Sequence, residues 1–80
     1  MKFKYKDVVS LNKALGTTIR QMRHQYGYKQ VDLAEAIGVN RSYVSELESG
    51  KRNPTIETLV YISVAFEVPL SKILQMAESL

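Results

Sequence analysis

Apolar residues along this 80-residue chain recur in steps of three and four, the spacing of one helix face, and five such stripes follow one another. The first holds Val8, Leu11, Leu15, Ile19, Met22 and Tyr26, and Gly27 ends it. Gly16 interrupts it at a cost of about 1 kcal/mol relative to alanine, so the segment before it either frays or approaches another backbone closely. The second predicted helix covers residues 30–37, with Leu33, Ala34 and Ile37 inward. The third covers residues 41–49, with Val44 and Leu47 inward and Gly50 as its C-cap. Residues 51–54 read as a loop, because Pro54 disfavours helix in the residue before it. Thr55 caps the fourth helix, whose inner stripe is Ile56, Leu59, Ile62 and Phe66. Val68 and Pro69 break the pattern, and Leu70, Ile73, Leu74 and Ala77 define the fifth. The first seven residues, MKFKYKD, alternate cations with aromatic or apolar residues and carry no helical stripe. They read as a basic arm over residues 1–7, flexible or a short strand, ahead of one all-α domain over residues 8–80.

The run QVDLAEAIGVNRSYVSELES at residues 30–49 meets the steric demands of two short helices crossing steeply. Ala34 supplies the small residue at the crossing, Gly38 takes the left-handed turn without steric cost, and Val39 plugs the corner. Asn40 caps the second helix of the pair. Its outward face carries Arg41, Ser42, Ser45, Glu46 and Ser49. An ordinary helical hairpin shares the Leu, Ala and Gly spacing; the short polar outer face, able to reach base edges, is what a recognition helix requires. At the first turn, the Arg41 fork reaches guanine O6 and N7, with a solvated side chain as the alternative. Glu46 either accepts from cytosine N4, orients Arg41 or excludes other bases. Tyr43 either packs over a thymine methyl, donates to phosphate, or is a partly buried ring beside the second helix.

Composition narrows the function further. Net charge is only +3, but residues 1–29 hold seven cations against Asp7 alone, giving +6, while residues 30–80 carry −3. The chain is therefore polarised, with phosphate-facing charge expected from the N-terminal third and from Lys51 and Arg52. With 45% apolar residues it is globular, yet so short a chain has a small stability margin that a dimer would enlarge. No apolar run approaches the roughly 20 residues that span a bilayer, and no signal-like stretch opens the chain, so no membrane partner and a cytoplasmic location are expected. Absence of cysteine excludes disulfides and thiolate metal sites. His24, the single histidine, has no partners at ligand spacing and reads as a surface residue. With no nucleophile and base pair, no metal cluster and no phosphate-cradling glycine loop, neither an enzyme nor a cofactor is expected.

From about Leu15 to Leu74 the chain resembles the phage-repressor and Cro (Xre-type) regulators, through IRQMR, GYKQVDLAEAIGV, NRSYVSELESGKRNPT and LVYISVAFEVPLSKIL. The resemblance implies a compact five-helix domain with the helix-turn-helix at its second and third helices. It implies a homodimer on double-stranded DNA, with the third helices in successive major grooves. Gln30 would anchor a phosphate, Arg41, Ser42 and Glu46 occupy base-reading positions, and Ser49, Lys51 and Arg52 match backbone-contacting ones. Arg23 and Glu48 match a pair joining the first and third helices. The chain departs from the family at Lys29, where a serine or threonine cap is usual; lysine accepts no amide hydrogen, which costs about 1 kcal/mol unless a phosphate contact compensates. The expected DNA-binding set is Lys29, Gln30, Asn40, Arg41, Ser42, Tyr43, Ser45, Glu46, Ser49, Lys51 and Arg52.

Leu70, Ile73, Leu74 and Ala77, extended by Met76 and Leu80, offer more apolar surface than a short terminal helix buries alone, and are the expected dimer interface. The expected function is a sequence-specific transcriptional regulator of a palindromic operator, a repressor or autoregulator, as in a phage, toxin-antitoxin or restriction-modification context. The alternative is a protein-interaction module that holds a partner such as a toxin on its fourth and fifth helices. The arm either contacts DNA or docks through Phe3 and Tyr5 as an edge strand.

Overall fold

All five stripes form helices in the structure, a computed structural model that describes residues 7–80. They are α1 (Val8–Gln25), α2 (Gln30–Ile37), α3 (Arg41–Glu48), α4 (Ile56–Phe66) and α5 (Leu70–Glu78). Residues 1–6 of the expected arm lie outside the described residues. Asp7 belongs to the domain instead: its carboxylate accepts the Ser10 amide at 2.8 Å and caps α1. That bond holds the Asp7 carboxyl below its ordinary value.

Polar residues set the other boundaries. Asn40 accepts the Tyr43 amide at 2.8 Å and Thr55 that of Thr58 at 3.0 Å, fixing the starts of α3 and α4. Gly38 turns α2 into α3 at φ 75°, as its lack of a Cβ permits. At α2 the cap expected to be missing is partly replaced. Lys29 contributes no acceptor, but Asp32 reaches back to the Lys29 amide at 2.7 Å and places its charge against the positive helix end. Ser49, expected as the last residue of the third helix, is the C-cap of α3.

The core gathers Leu15, Ile19 and Met22 of α1 with Leu33, Ala34 and Ile37 of α2, Val44 and Leu47 of α3, Ile62 and Phe66 of α4, and Ile73 and Ala77 of α5. α1 packs on both α3 and α5, while α2 packs on α3 and α4. The crossing of α1 with α3 explains Gly16. A Cβ there would stand 2.5 and 2.6 Å from the carbonyl oxygens of Leu47 and Glu48, so the two backbones meet with no room for a methyl group.

Two expected faces are corrected. Ile73 and Ala77 are fully buried within the chain because α5 seats that row on α1, so neither is available to a dimer partner. Leu70, Leu74 and Met76 are half-buried and Leu80 is exposed. In α4 the inner stripe starts at Leu59, and Ile56 is 69% exposed. Two successive steps of three carry Ile56 about 120° around the axis from Ile62, off the core side. It joins Val60 and Val64 in an outward apolar row. Val8 and Tyr26, the ends of the α1 stripe, are likewise exposed. Among the described residues, no single helix is long and apolar enough to cross a membrane.

Gly16→Ala is expected to destabilise the fold by about 1–3 kcal/mol despite its better helix propensity, because backbone carbonyls cannot move aside as side chains do. A thermal midpoint equal to or above that of the parent would contradict this. Glu67 ends α4 at φ 57°, a left-handed conformation that costs a side-chain-bearing residue about 1–2 kcal/mol. Glu67→Gly is therefore expected to raise the midpoint by several degrees, the net gain being about 0.5–1 kcal/mol after the added unfolded-state entropy.

Candidate nucleic-acid interface

α3 turns Val44 and Leu47 into the core, so Arg41, Ser42 and Ser49 emerge exposed, with Tyr43, Ser45 and Glu46 half-buried at the edges of that face. The expected set thus lies on the outer side of α3, on the turn and loop at its ends and, for Lys29 and Gln30, at the start of α2. Asn40 is committed to the cap, with its side-chain oxygen on the Tyr43 amide. Ser49 donates its hydroxyl to the Glu46 carbonyl at 3.0 Å. Lys29, Lys51 and Arg52 are exposed.

Behind this face runs a chain of charge-assisted bonds. Arg23 of α1 donates Nε to Glu48 Oε2 at 2.6 Å and Nη2 to Oε1 at 3.1 Å, a two-pronged pair buried between α1 and α3. Its Nη1 donates to the Tyr28 carbonyl at 2.8 Å and so pins the turn into α2. Gln30 continues the chain: its Nε2 donates to Glu48 Oε1 at 3.1 Å and its Oε1 accepts Arg41 Nη1 at 3.1 Å. The amide has only one workable orientation. A carboxylate cannot donate and a guanidinium cannot accept, so the NH2 must face Glu48 and the carbonyl must face Arg41. Three helices thereby hold the Arg41 guanidinium at the first turn of α3.

Of the alternatives open for Glu46, the orienting of Arg41 is not the one formed: Glu46 accepts Arg52 Nε at 2.9 Å, and Arg52 folds back from the loop to lie over the Tyr43 ring, 5.1 Å from its centroid. Tyr43 packs against the core and forms the platform for this stack. Asn12 of α1 donates to Asn53, which ties the same loop to α1.

Two further cations lie at this surface. Arg20 of α1 lines a polar groove of about 270 Å³ with Arg23, Gln30, Ser45, Glu48 and Ser49. Lys13 lies directly against Gly50, at the exit of α3. Neither belongs to the expected binding set. The excess of cations in the N-terminal third is the available signal, but sequence separation hides which of them α1 carries to α3. A larger depression of about 490 Å³ adjoins the groove along Thr17, Gln21 and His24. Among the described residues, no group of His, Asp or Glu side chains is placed to hold a metal ion.

Comparison with known proteins agrees with this geometry. A family model described as helix-turn-helix matches residues 19–73. The chain is 34% identical over 70 residues to the HTH-type transcriptional regulator SutR of Escherichia coli, covering 88% of this chain but 39% of SutR. It is 35% identical over 66 residues to the ImmF control region 10 kDa protein of Bacillus phage phi105, covering 82% of this chain and 72% of that protein. Among solved structures, the clp gene regulator ClgR from Corynebacterium glutamicum superposes with a TM-score of 0.84 at 33% identity, over 86% of this chain and 73% of that one. The chain therefore belongs to the Xre-type helix-turn-helix family, whose members are DNA-binding transcriptional regulators and not enzymes.

Proposed function

We propose that this protein is a sequence-specific regulator that binds a palindromic operator as a homodimer in the cytoplasm, with α3 in the major groove. The observation that carries the reading is the Arg41 guanidinium, exposed at the first turn of α3 and steadied through Gln30 by the buried Arg23 and Glu48 pair. A steadied fork loses little rotamer freedom on binding and suits a bidentate contact to guanine. Ser42, Ser45 and Glu46 complete the base-facing row. Lys29, Ser49 and Lys51 flank it as phosphate contacts, Arg52 stands beside them bonded to Glu46, and Arg20 and Lys13 extend that cationic border. Gln30 serves the recognition helix from within, through its bonds to Glu48 and Arg41.

Self-association is supported by apolar surface that the chain leaves open. Ile56, Val60 and Val64 form one row on α4, 69, 41 and 68% exposed, and Leu80 lies exposed beyond α5. With Ile73 and Ala77 consigned to the core, we assign the dimer face to this α4 row together with the outer edge of α5 at Leu70, Leu74, Met76 and Leu80. Two recognition helices about 34 Å apart then meet successive major grooves. Sequencing the duplexes that the protein selects from a random pool tests the whole reading, since it yields the operator and its symmetry together.

Arg41→Ala is expected to cost about 1–3 kcal/mol on the selected operator and little on random duplex, whereas Lys51→Ala weakens both and lowers the salt slope by about 0.9. Equal losses on both duplexes for Arg41→Ala would assign that side chain to the DNA backbone. Sedimentation at tens of micromolar is expected to show a dimer that Val64→Glu converts to monomer without lowering the unfolding midpoint of the isolated subunit. A parent protein that stays monomeric both free and on its operator would refute the dimer.

A further inference from the structure

Glu46 poses an electrostatic difficulty for a face that meets DNA. It lies one helical turn beyond Ser42, on the same side of α3, where a bare carboxylate is repelled by phosphate. The structure resolves the difficulty with Arg52. Arg52 Nε donates to Glu46 Oε1 at 2.9 Å, and its guanidinium rests over the Tyr43 ring at 5.1 Å from the centroid. The ring is itself fixed, packed against the core, with its backbone amide held by Asn40. Both charged side chains remain about half exposed, 51% for Arg52 and 45% for Glu46, so the pair is open to solvent on the outer side of α3. Only Nε and Oε1 are engaged in the bond. The second carboxylate oxygen and the two NH2 groups of the guanidinium are left for a ligand.

A phosphate contact alone would need neither the stack on Tyr43 nor the bond to Glu46. On the DNA-binding reading above, we propose that Arg52 is a positioning residue for Glu46. Stacked on Tyr43, it cancels the carboxylate charge and holds Glu46 so that Oε2 accepts from N4 of a cytosine. Glu46 and Arg52 then act as one unit that specifies a C·G pair in each half-site. Because the unit is neutral as a whole, Glu46 reads a base without lowering the attraction of the domain for the backbone.

The test is a double-mutant cycle on DNA binding. Wild type, Glu46→Gln, Arg52→Ala, Arg52→Lys and the double variant Glu46→Gln/Arg52→Ala are each put through selection from a random duplex pool. Their affinities are then measured on the wild-type selected duplex and on random duplex over a salt series. Thermal unfolding verifies that each variant is folded; an exposed pair of this kind contributes little to stability. Wild type is expected to select cytosine at one position per half-site, Glu46→Gln to move that choice to adenine, and Arg52→Ala to lose it. Arg52→Ala is expected to weaken binding to the selected duplex at least about fivefold more in the wild-type background than in the Glu46→Gln background. Arg52→Lys keeps the charge without the planar fork, so it is expected to retain affinity for random duplex and the salt slope while losing the cytosine preference.

An equal loss for Arg52→Ala in both backgrounds, with base choice unchanged, would make Arg52 a plain phosphate contact and overturn the proposal. So would an unaltered selection by Glu46→Gln. Failure of the wild type to select any sequence overturns the DNA-binding reading and this proposal with it, whereas selection without coupling overturns this proposal alone.

Discussion

Arg23 and Glu48 form the interaction on which most of the molecule depends. Each is a charge buried in a small domain, and either one alone would be an uncompensated ion costing about 3–5 kcal/mol. Together they commit all three guanidinium nitrogens and both carboxylate oxygens to structure. The guanidinium takes Glu48 with two nitrogens and the Tyr28 carbonyl with the third, while Glu48 also accepts from Gln30. The pair therefore joins α1 to α3, sets the turn into α2 and orients the amide that steadies Arg41. A buried ion pair is weak support for stability by itself; what it contributes here is register and direction, which an apolar pair could not supply to a polar outer face.

Gly16 is the steric counterpart of that electrostatic joint. The pair can close only because the backbones of α1 and α3 come near enough for the carbonyls of Leu47 and Glu48 to occupy the space of a side chain on residue 16. The same closeness brings Arg20 into the groove beside Ser45 and Ser49, and it sets Lys13 against Gly50. Thus one small residue and one ion pair determine how much of the α1 charge is delivered to the outer side of α3. The outward surface is then divided into two units of different design. At the start of α3, Arg41 is steadied from beneath through buried groups; at its end, Glu46 and Arg52 steady each other on an aromatic ring at the surface.

Legibility from sequence follows the physical range of each signal. Helix number, the turn at Gly38, the caps at Asn40 and Thr55 and the polar outer face of α3 are local matters of side-chain period, backbone freedom and hydrogen-bond chemistry, and the residues state them directly. The family resemblance carries the one long-range feature, the pairing of Arg23 with Glu48. Replacement of the missing cap by Asp32 is equally local and was readable, since an acid three residues into a helix is half of a known cap arrangement.

What the tertiary structure alone decided is which side of an apolar helix meets which neighbour. Periodicity places Ile73, Leu74 and Ala77 on one stripe, but only the seat of α5 on α1 buries Ile73 and Ala77 and leaves Leu74 at the margin. It likewise groups Ile56 with Leu59, although the helix twist and the neighbours on only part of α4 turn Ile56 outward with Val60 and Val64. The partner of Glu46 was undetermined for a related reason. The loop folds Arg52 onto Tyr43 and against Glu46, while Gln30 engages Arg41. A sequence sets the spacing of side chains along each element, and three-dimensional packing determines which of them meet.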